Sequence, residues 1–471
     1  MSNEARPQAD TLWPLLLLVA AGSFLSAFTS SVMNVALPDM ARDFRIDPSS
    51  ASWVVLAFLM TVTVLLLPAG RLGDIAGHGR LYLGGSVIFA FGAAFCAMAP
   101  TAGALVGGRV AQGLGSALVM SSSPALLTRT VPPGRRGFAL GFMSTALYLG
   151  LTIGPPVGGL MVRHHGWRSI FVLMFVFTTL VAGAGAFVIP RRAASASRPS
   201  FDWIGSALIA CGTLSFLLVC TRGLSWGLSS PKTLALAVAS VVLLPVFVRV
   251  QLSIREPTVD MALFRSRVFS SAALGASLNY VSLFVALFLL PFAFREGQGM
   301  PVSAMGRVLA AQAAGMALLA WGAGWLSDRL GSRGLATGGM LVTAAAMAGL
   351  AHGYPTTGQL APAAWLFLVG AGTGVFISPN SSALMGAAPR DRQGIAGGIM
   401  ALSRTLGMSF GVAIASGLFS TVFEAGKPVT GWSSAADRVV RLGLFASAGF
   451  SLLVAAVSFF GQGPRKERAA G

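Results

Sequence analysis

Charge is what this sequence has least of. Only 10% of its 471 residues are Asp, Glu, Lys or Arg, where a soluble domain carries about 25%, and mean hydropathy reaches +0.75. A water-soluble fold is excluded. Acids are scarcer still: 15 Asp and Glu stand against 33 Lys and Arg, and none falls near the middle of a long apolar run. The three cysteines, Cys96, Cys211 and Cys220, all lie inside apolar stretches, where a free thiol behaves as a small hydrophobe, so no disulfide framework is implied. The four histidines, His78, His164, His165 and His352, fall in connections or at helix ends. These shortages leave no His/Asp/Glu/Cys cluster for a metal, no nucleophile beside a base and no nucleotide loop. A membrane enzyme, ATP drive and a resident cofactor are therefore not expected.

What is abundant is long apolar sequence. A bilayer-spanning helix needs about 20 mostly apolar residues, and fourteen such stretches can be counted. The first, Leu12 to Pro38, is too long for a signal-peptide core and lacks a basic flank, so it is expected to remain as a span. Net charge is +18, which in a soluble protein would suggest nucleic acid. The arginines, however, fall on alternate connections: Arg71 and Arg80, Arg129 with Arg135 and Arg136, Arg191 and Arg192, Arg265 and Arg267, Arg329 and Arg333, Arg390 and Arg392, then the tail at Arg465 to Arg468. The positive-inside rule makes those connections cytoplasmic, with both termini inside a multi-pass cytoplasmic (inner) membrane protein. No nucleic-acid partner is expected.

The chain also repeats itself. Gly70-Arg-Leu-Gly-Asp74-Ile-Ala-Gly77-His-Gly-Arg80 closes the second span, and Gly324-Trp-Leu-Ser-Asp328-Arg329-Leu-Gly331 closes a later one at an offset of 254. Pro132-Pro-Gly-Arg-Arg-Gly137 and Pro389-Arg-Asp-Arg-Gln-Gly394 repeat at an offset of 257. Agreement between the offsets predicts parallel repeats of a six-helix half. Some sixty residues are surplus between the halves, room for two further helices at about Trp203 to Thr221 and Leu234 to Leu252. The expected division is 1–190 for an N-terminal bundle, 191–267 for a linker with two extra helices, and 268–471 for a C-terminal bundle and tail.

At this point the residues resemble the major facilitator superfamily, specifically its fourteen-helix drug:proton antiporter family. The Gly70, Asp74, Arg80 loop and its copy at Asp328 and Arg329 resemble the superfamily's loop between helices two and three, where the resemblance implies a conformational latch. Leu105-Val-Gly-Gly-Arg109-Val-Ala-Gln112-Gly113 resembles the fourth-helix motif with its buried arginine. Gly150-Leu-Thr-Ile-Gly154-Pro155-Pro-Val-Gly158-Gly159 is similar to the antiporter motif that marks exporters, and its glycines independently permit close helix packing. Asp202-Trp203-Ile-Gly205 and Arg255 to Phe264 resemble segments flanking the extra helices. The implied fold is an all-α major facilitator bundle of fourteen transmembrane helices, and the implied activity is alternating-access export of small amphipathic compounds.

The first helix departs from that pattern. The family's membrane-embedded Asp is replaced in Thr29-Ser30-Ser31-Val32-Met33-Asn34-Val35-Ala36-Leu37-Pro38 by Thr29, and a threonine hydroxyl cannot titrate in a useful range. Either coupling uses an edge acid such as Asp74 or Asp328, or transport is uncoupled or coupled to another ion. The charges expected inside the membrane are Arg109, with Gln112 one turn on, and Arg404, and such groups are functional candidates by default. Arginines without carboxylates favour neutral or anionic cargo. Further cavity candidates are Phe28, Thr29, Asn34, Phe58, Tyr148, Asn279, Tyr280, Gln312 and Asn380, a mixture suited to an amphipathic ligand. The competing reading is a translocator of lipid or of a neutral or anionic metabolite. Membrane lipid is an expected partner, and a monomer is expected.

Overall fold

The computed structural model describes residues 9–131, 136–189, 202–227, 229–254, 259–355, 358–389, 393–423 and 434–461; the side chains of Tyr148, Trp321, Trp325, Asp328 and Arg329 lie outside the described residues. Among the described residues, fourteen helices are long and apolar enough to cross a membrane. In chain order they are α1 (Ala9–Phe44), α2 (Pro48–Ala76), α3 (His78–Ala97), α4 (Ala102–Thr130), α5 (Arg136–His165), α6 (Arg168–Val188), α7 (Trp203–Trp226), α8 (Pro231–Ser253), α9 (Arg267–Phe292), α10 (Val302–Leu330), α11 (Ser332–Gly353), α12 (Leu360–Ala387), α13 (Gln393–Phe423) and α14 (Ser434–Gly461).

Local chemistry sets several helix ends. Asp47 caps α2 by accepting the Ser50 backbone N–H at 3.0 Å, with Pro48 at the first helical position, where its missing N–H costs nothing. Ser230 caps α8 in the same way ahead of Pro231. Gly77 separates α2 from α3 at φ 95°, and Gly331 separates α10 from α11 at φ 86°. Both sit in the left-handed region that a side chain disfavours, and they are again 254 residues apart, so the repeat seen in the motifs is also a repeat of backbone geometry.

The packing pattern is duplicated as well. In the first half α1 packs on α5 and α6, α3 on α4 and α6, and α2 on α4; in the second, α9 packs on α13 and α14, α11 on α12 and α14, and α10 on α12. The halves then meet through two equivalent seams, α5 with α10 and α2 with α13, and through α1 with α9. The inserted pair is unequal. α7 lies along α2 and α13, where Phe216 meets Phe410 edge-on at 4.9 Å, while α8 packs mainly on α7 and is the least buried span.

The Asp202-Trp-Ile-Gly205 segment is a clasp for that pair. Asp202 caps α7 through the Gly205 N–H at 2.7 Å and accepts the Gln251 amide of α8 at 2.7 Å. Gln251 in turn accepts the Val259 N–H at 3.1 Å. A side chain at Gly205 would run into both Asp202 and Gln251, which accounts for the glycine.

Candidate substrate passage between the two halves

The α5 glycines form a stripe against α1. A Cβ at Gly150 would run into the Phe24 carbonyl, one at Gly154 would come 2.9 Å from Ser31 Cβ, and one at Gly158 would come 2.6 Å from Val32. Gly159 points the other way: a Cβ there would lie 3.1 Å from Gly306 Cα and from the Val302 carbonyl of α10. The motif thus seats α5 between its own half and the opposite one.

Near the same end of the bundle, charges cross between the halves. Arg42 of α1 pairs with Glu296 at 2.7 Å, and Arg295 pairs with Asp39 of α1 at 3.2 Å; Arg295 and Glu296 lie on the π-helical turn Ala293–Gly297 that continues α9. Each first helix supplies one acid and one base. Arg163 adds a bond to Ser303 at 3.3 Å, and Ser52 meets Ser416 across the α2–α13 seam at 3.0 Å. Alongside, Asp43 holds Trp167 and Arg168 of α6. The Asp47 carboxyl beside it is partly buried, which alone would raise its pKa, yet hydrogen bonds from Ser49 and Ser50 outweigh burial and hold it below its ordinary value.

Toward the basic connections the seams part into three cavities in series. The first lies beneath the α5–α10 contact and is lined by Ser31, Thr152, Pro155, Tyr280, Phe284 and Gln312 among others. Tyr280 also borders the second, with Phe376, Asn380, Ser381, Met400 and Arg404. Arg404 borders the third as well, with Ser26, Ser30, Phe58, Met120 and Met408. Among the described residues, no acid lines any of the three.

Arg109 is elsewhere. It is fully buried; its Nε donates to the Val54 carbonyl at 2.8 Å, its Nη1 donates to Gln112 Oε1 at 2.8 Å, and its guanidinium lies 4.4 Å from the Phe58 ring centroid. Gln112 continues through its amide to Met174 Sδ at 3.7 Å, and Thr29 Oγ1 donates to the same sulfur at 3.6 Å. The helix-one position that carries Thr29 is therefore linked to Arg109 through Met174 of α6, a residue with no sequence motif to mark it.

Of the remaining candidates, Phe58, Tyr280, Gln312 and Asn380 line cavities. Phe28, Thr29, Asn34 and Asn279 line none of these three: Phe28 stacks on Phe24 at 5.8 Å, Asn34 donates to the Ser30 carbonyl at 3.1 Å, and Asn279 is fully buried. Ser26, Ser30, Ser31 and Thr152 are cavity residues that sequence reading missed; the signal available was helical spacing from recognised neighbours. In the expected latch, Asp74 Oδ1 lies 3.1 Å from His78 Nε2, and Gly77, the residue that caps α3, makes no side-chain cap bond. A Cβ at Gly70 would lie 3.9 Å from Ser121 Cβ, and Arg80 is exposed. The copies Asp328 and Arg329, and the ring of Tyr148, lie outside the described side chains.

Fourteen membrane-length helices, in two copies of one packing pattern around shared cavities, define a polytopic membrane protein of transporter architecture. The chain belongs to the major facilitator superfamily, whose family model matches residues 19–412. It is 28% identical to the riboflavin transporter RibZ of Clostridioides difficile over 87% of this chain and 88% of that one. It is 29% identical to the tetracenomycin C resistance and export protein of Streptomyces glaucescens, over 85% and 75%, and 28% identical to the multidrug resistance protein Stp of Mycobacterium tuberculosis, over 87% and 77%. A bacterial homolog of the human lysosomal transporter Spinster, solved in an inward-facing, unoccupied conformation, superposes with a TM-score of 0.67 at 16% identity over 98% of both chains. That likeness is one of fold.

Proposed function

We propose that this chain is an alternating-access secondary transporter of the cytoplasmic membrane that exports small amphipathic compounds, neutral or anionic. The observation that carries the reading is the asymmetry of the seam: the crossed pairs Arg42–Glu296 and Asp39–Arg295 join the halves at one end, while the cavities lie toward the basic connections. With those connections cytoplasmic, this is an inward-facing state. Outward opening then parts the α5–α10 contact and both ion pairs. Residues 1–190 and 268–471 act as the two rocking bodies, monomeric, with both termini cytoplasmic and 191–267 riding on the seam. Relatives named for drug resistance and antibiotic export support the direction.

Coupling follows from the cavity walls. With no acid in them, a proton carrier would have to be an edge carboxylate, of which Asp74 is one, and otherwise transport is uncoupled or driven by another ion. The test is efflux of a neutral, an anionic and a cationic fluorescent dye from cells making wild type or Gly159→Val at equal levels. The valine puts branched atoms between α5 and Gly306, so dye retention several-fold above wild type is expected. Efflux that is unchanged at equal expression overturns the reading. In proteoliposomes, an imposed pH gradient that fails to alter the rate excludes proton coupling.

A further inference from the structure

Arg404 stands on α13 with 9% of its surface exposed, and among the described residues it makes no hydrogen bond, ion pair or ring contact. It is nevertheless the shared wall of two cavities. Ser30, Thr405 and Phe58 lie on one side, and Tyr280, Asn380 and Ser381 on the other. A guanidinium inside a membrane span is best matched by a counter-charge or a full set of acceptors. Among the described residues no Asp or Glu lines either cavity, and the Asn380 amide nitrogen donates to the Ala272 carbonyl at 2.9 Å.

The missing partner has a definable chemistry. Five N–H donors in a rigid planar fork match a planar oxyanion bidentately. Past Tyr280 the adjoining cavity is walled by Leu283, Phe284, Leu309 and Met316, an apolar surface of the kind that lines sites for amphipathic ligands. We propose that Arg404 anchors a carboxylate or similarly delocalised oxyanion on the cargo, and that the apolar body of the same molecule extends past Tyr280 into this cavity. Calling the ligand cargo rests on the exporter reading above; the site itself does not. Arg109 cannot take this role, because its Nε and Nη1 are already committed and it borders none of the cavities.

Equilibrium binding to the purified full-length protein tests the site. The probes are two aromatic series, benzoate to 1-pyrenebutyrate, each acid paired with its carboxamide of the same shape. Wild type is expected to bind the larger carboxylates at least tenfold tighter than their carboxamides. Arg404→Gln brings each pair within twofold, and Arg404→Lys, with charge but no fork, falls between. Ser381→Asp leaves the guanidinium in place and gives it a carboxylate in the same cavity, so carboxylate binding falls about tenfold while carboxamide binding holds. The proposal is overturned if wild type shows no preference, if it binds no member of either series, or if the preference survives in both Arg404→Gln and Ser381→Asp. A protein that binds carboxylates through Arg404 but does not carry them across vesicles retracts the exporter reading and leaves the anion site standing.

Discussion

Arg109 and Arg404 both lie inside the bundle, and their surroundings are opposite. Arg109 is a node of the first half: it ties α4 to the Val54 carbonyl of α2, orients Gln112 and lies against the Phe58 ring. All of those partners belong to one bundle, so a rigid rocking motion leaves them intact. Arg404 borders two cavities, one of them walled by both halves, so the rocking motion proposed above would change its surroundings. A charge inside the membrane is a functional candidate by default, but burial alone does not rank two such charges. The number of committed donors does.

The largest expected effect separates them by stability. Arg109→Ala removes two charge-assisted bonds, each worth about 1.5–3 kcal/mol, and a cation–π contact worth about 0.5–2 kcal/mol. A loss of about 3 kcal/mol or more is expected, seen as a lower Tm in detergent and a poor yield of monodisperse protein. Arg404→Ala deletes no hydrogen bond, ion pair or ring contact among the described residues and removes an unpaired charge, so its stability should stay within about 0.5 kcal/mol of wild type or rise. Equal losses at the two positions would break the distinction.

Phe58 offers a finer probe, because its ring lies under Arg109 and also lines the Arg404 cavity. In double-mutant cycles, Phe58→Leu should couple to Arg109→Lys by about 1 kcal/mol and to Arg404→Gln by less than about 0.5 kcal/mol. Coupling of similar size in both cycles would mean that the two guanidinium groups share one environment, and the assignment of roles would fail.

Much of the fold was legible because span length and motif spacing are local properties of the chain. Fourteen spans, the offset of 254 and the glycine stripe of α5 could all be read directly. Where Asp202 sends its second oxygen could not, since Gln251 lies 49 residues away. The cavity was only partly legible. A membrane helix is apolar toward lipid and toward its neighbours alike, so composition barely reports which way a side chain turns. Tyr280 and Asn279 are adjacent in sequence and both polar, yet Tyr280 lines two of the three cavities described above and Asn279 none of them. Arg109 and Arg404 look equivalent as isolated arginines in apolar runs; only the positions of Val54, Gln112 and Phe58 tell them apart. The crossed pairs at the closed end join residues some 250 positions apart, beyond the reach of any spacing rule.

Those crossed pairs supply the third case of the comparison, charges whose partners lie in the opposite half, and the smallest expected effect. Arg42 and Glu296 are roughly half and one-third exposed, and Arg295 and Asp39 about one-fifth, so each pair contributes about 0.2–1 kcal/mol in this screened setting. Losing both shifts the balance between end-closed and end-open states by about fivefold, at about 1.4 kcal/mol per tenfold. A cysteine placed at Ser416, on the α2–α13 seam beside Ser52, reports that balance through its alkylation rate by a membrane-impermeant maleimide. Arg42→Glu is expected to raise the rate two- to threefold, and adding Asp39→Asn should raise it further. Reversing the first pair as Arg42→Glu with Glu296→Arg should return the rate to wild type, because the attraction is restored with its direction exchanged. If the exchanged pair alkylates as fast as Arg42→Glu alone, the contact is incidental to closure, and end closure must rest on the Gly159–Gly306 approach of α5 and α10.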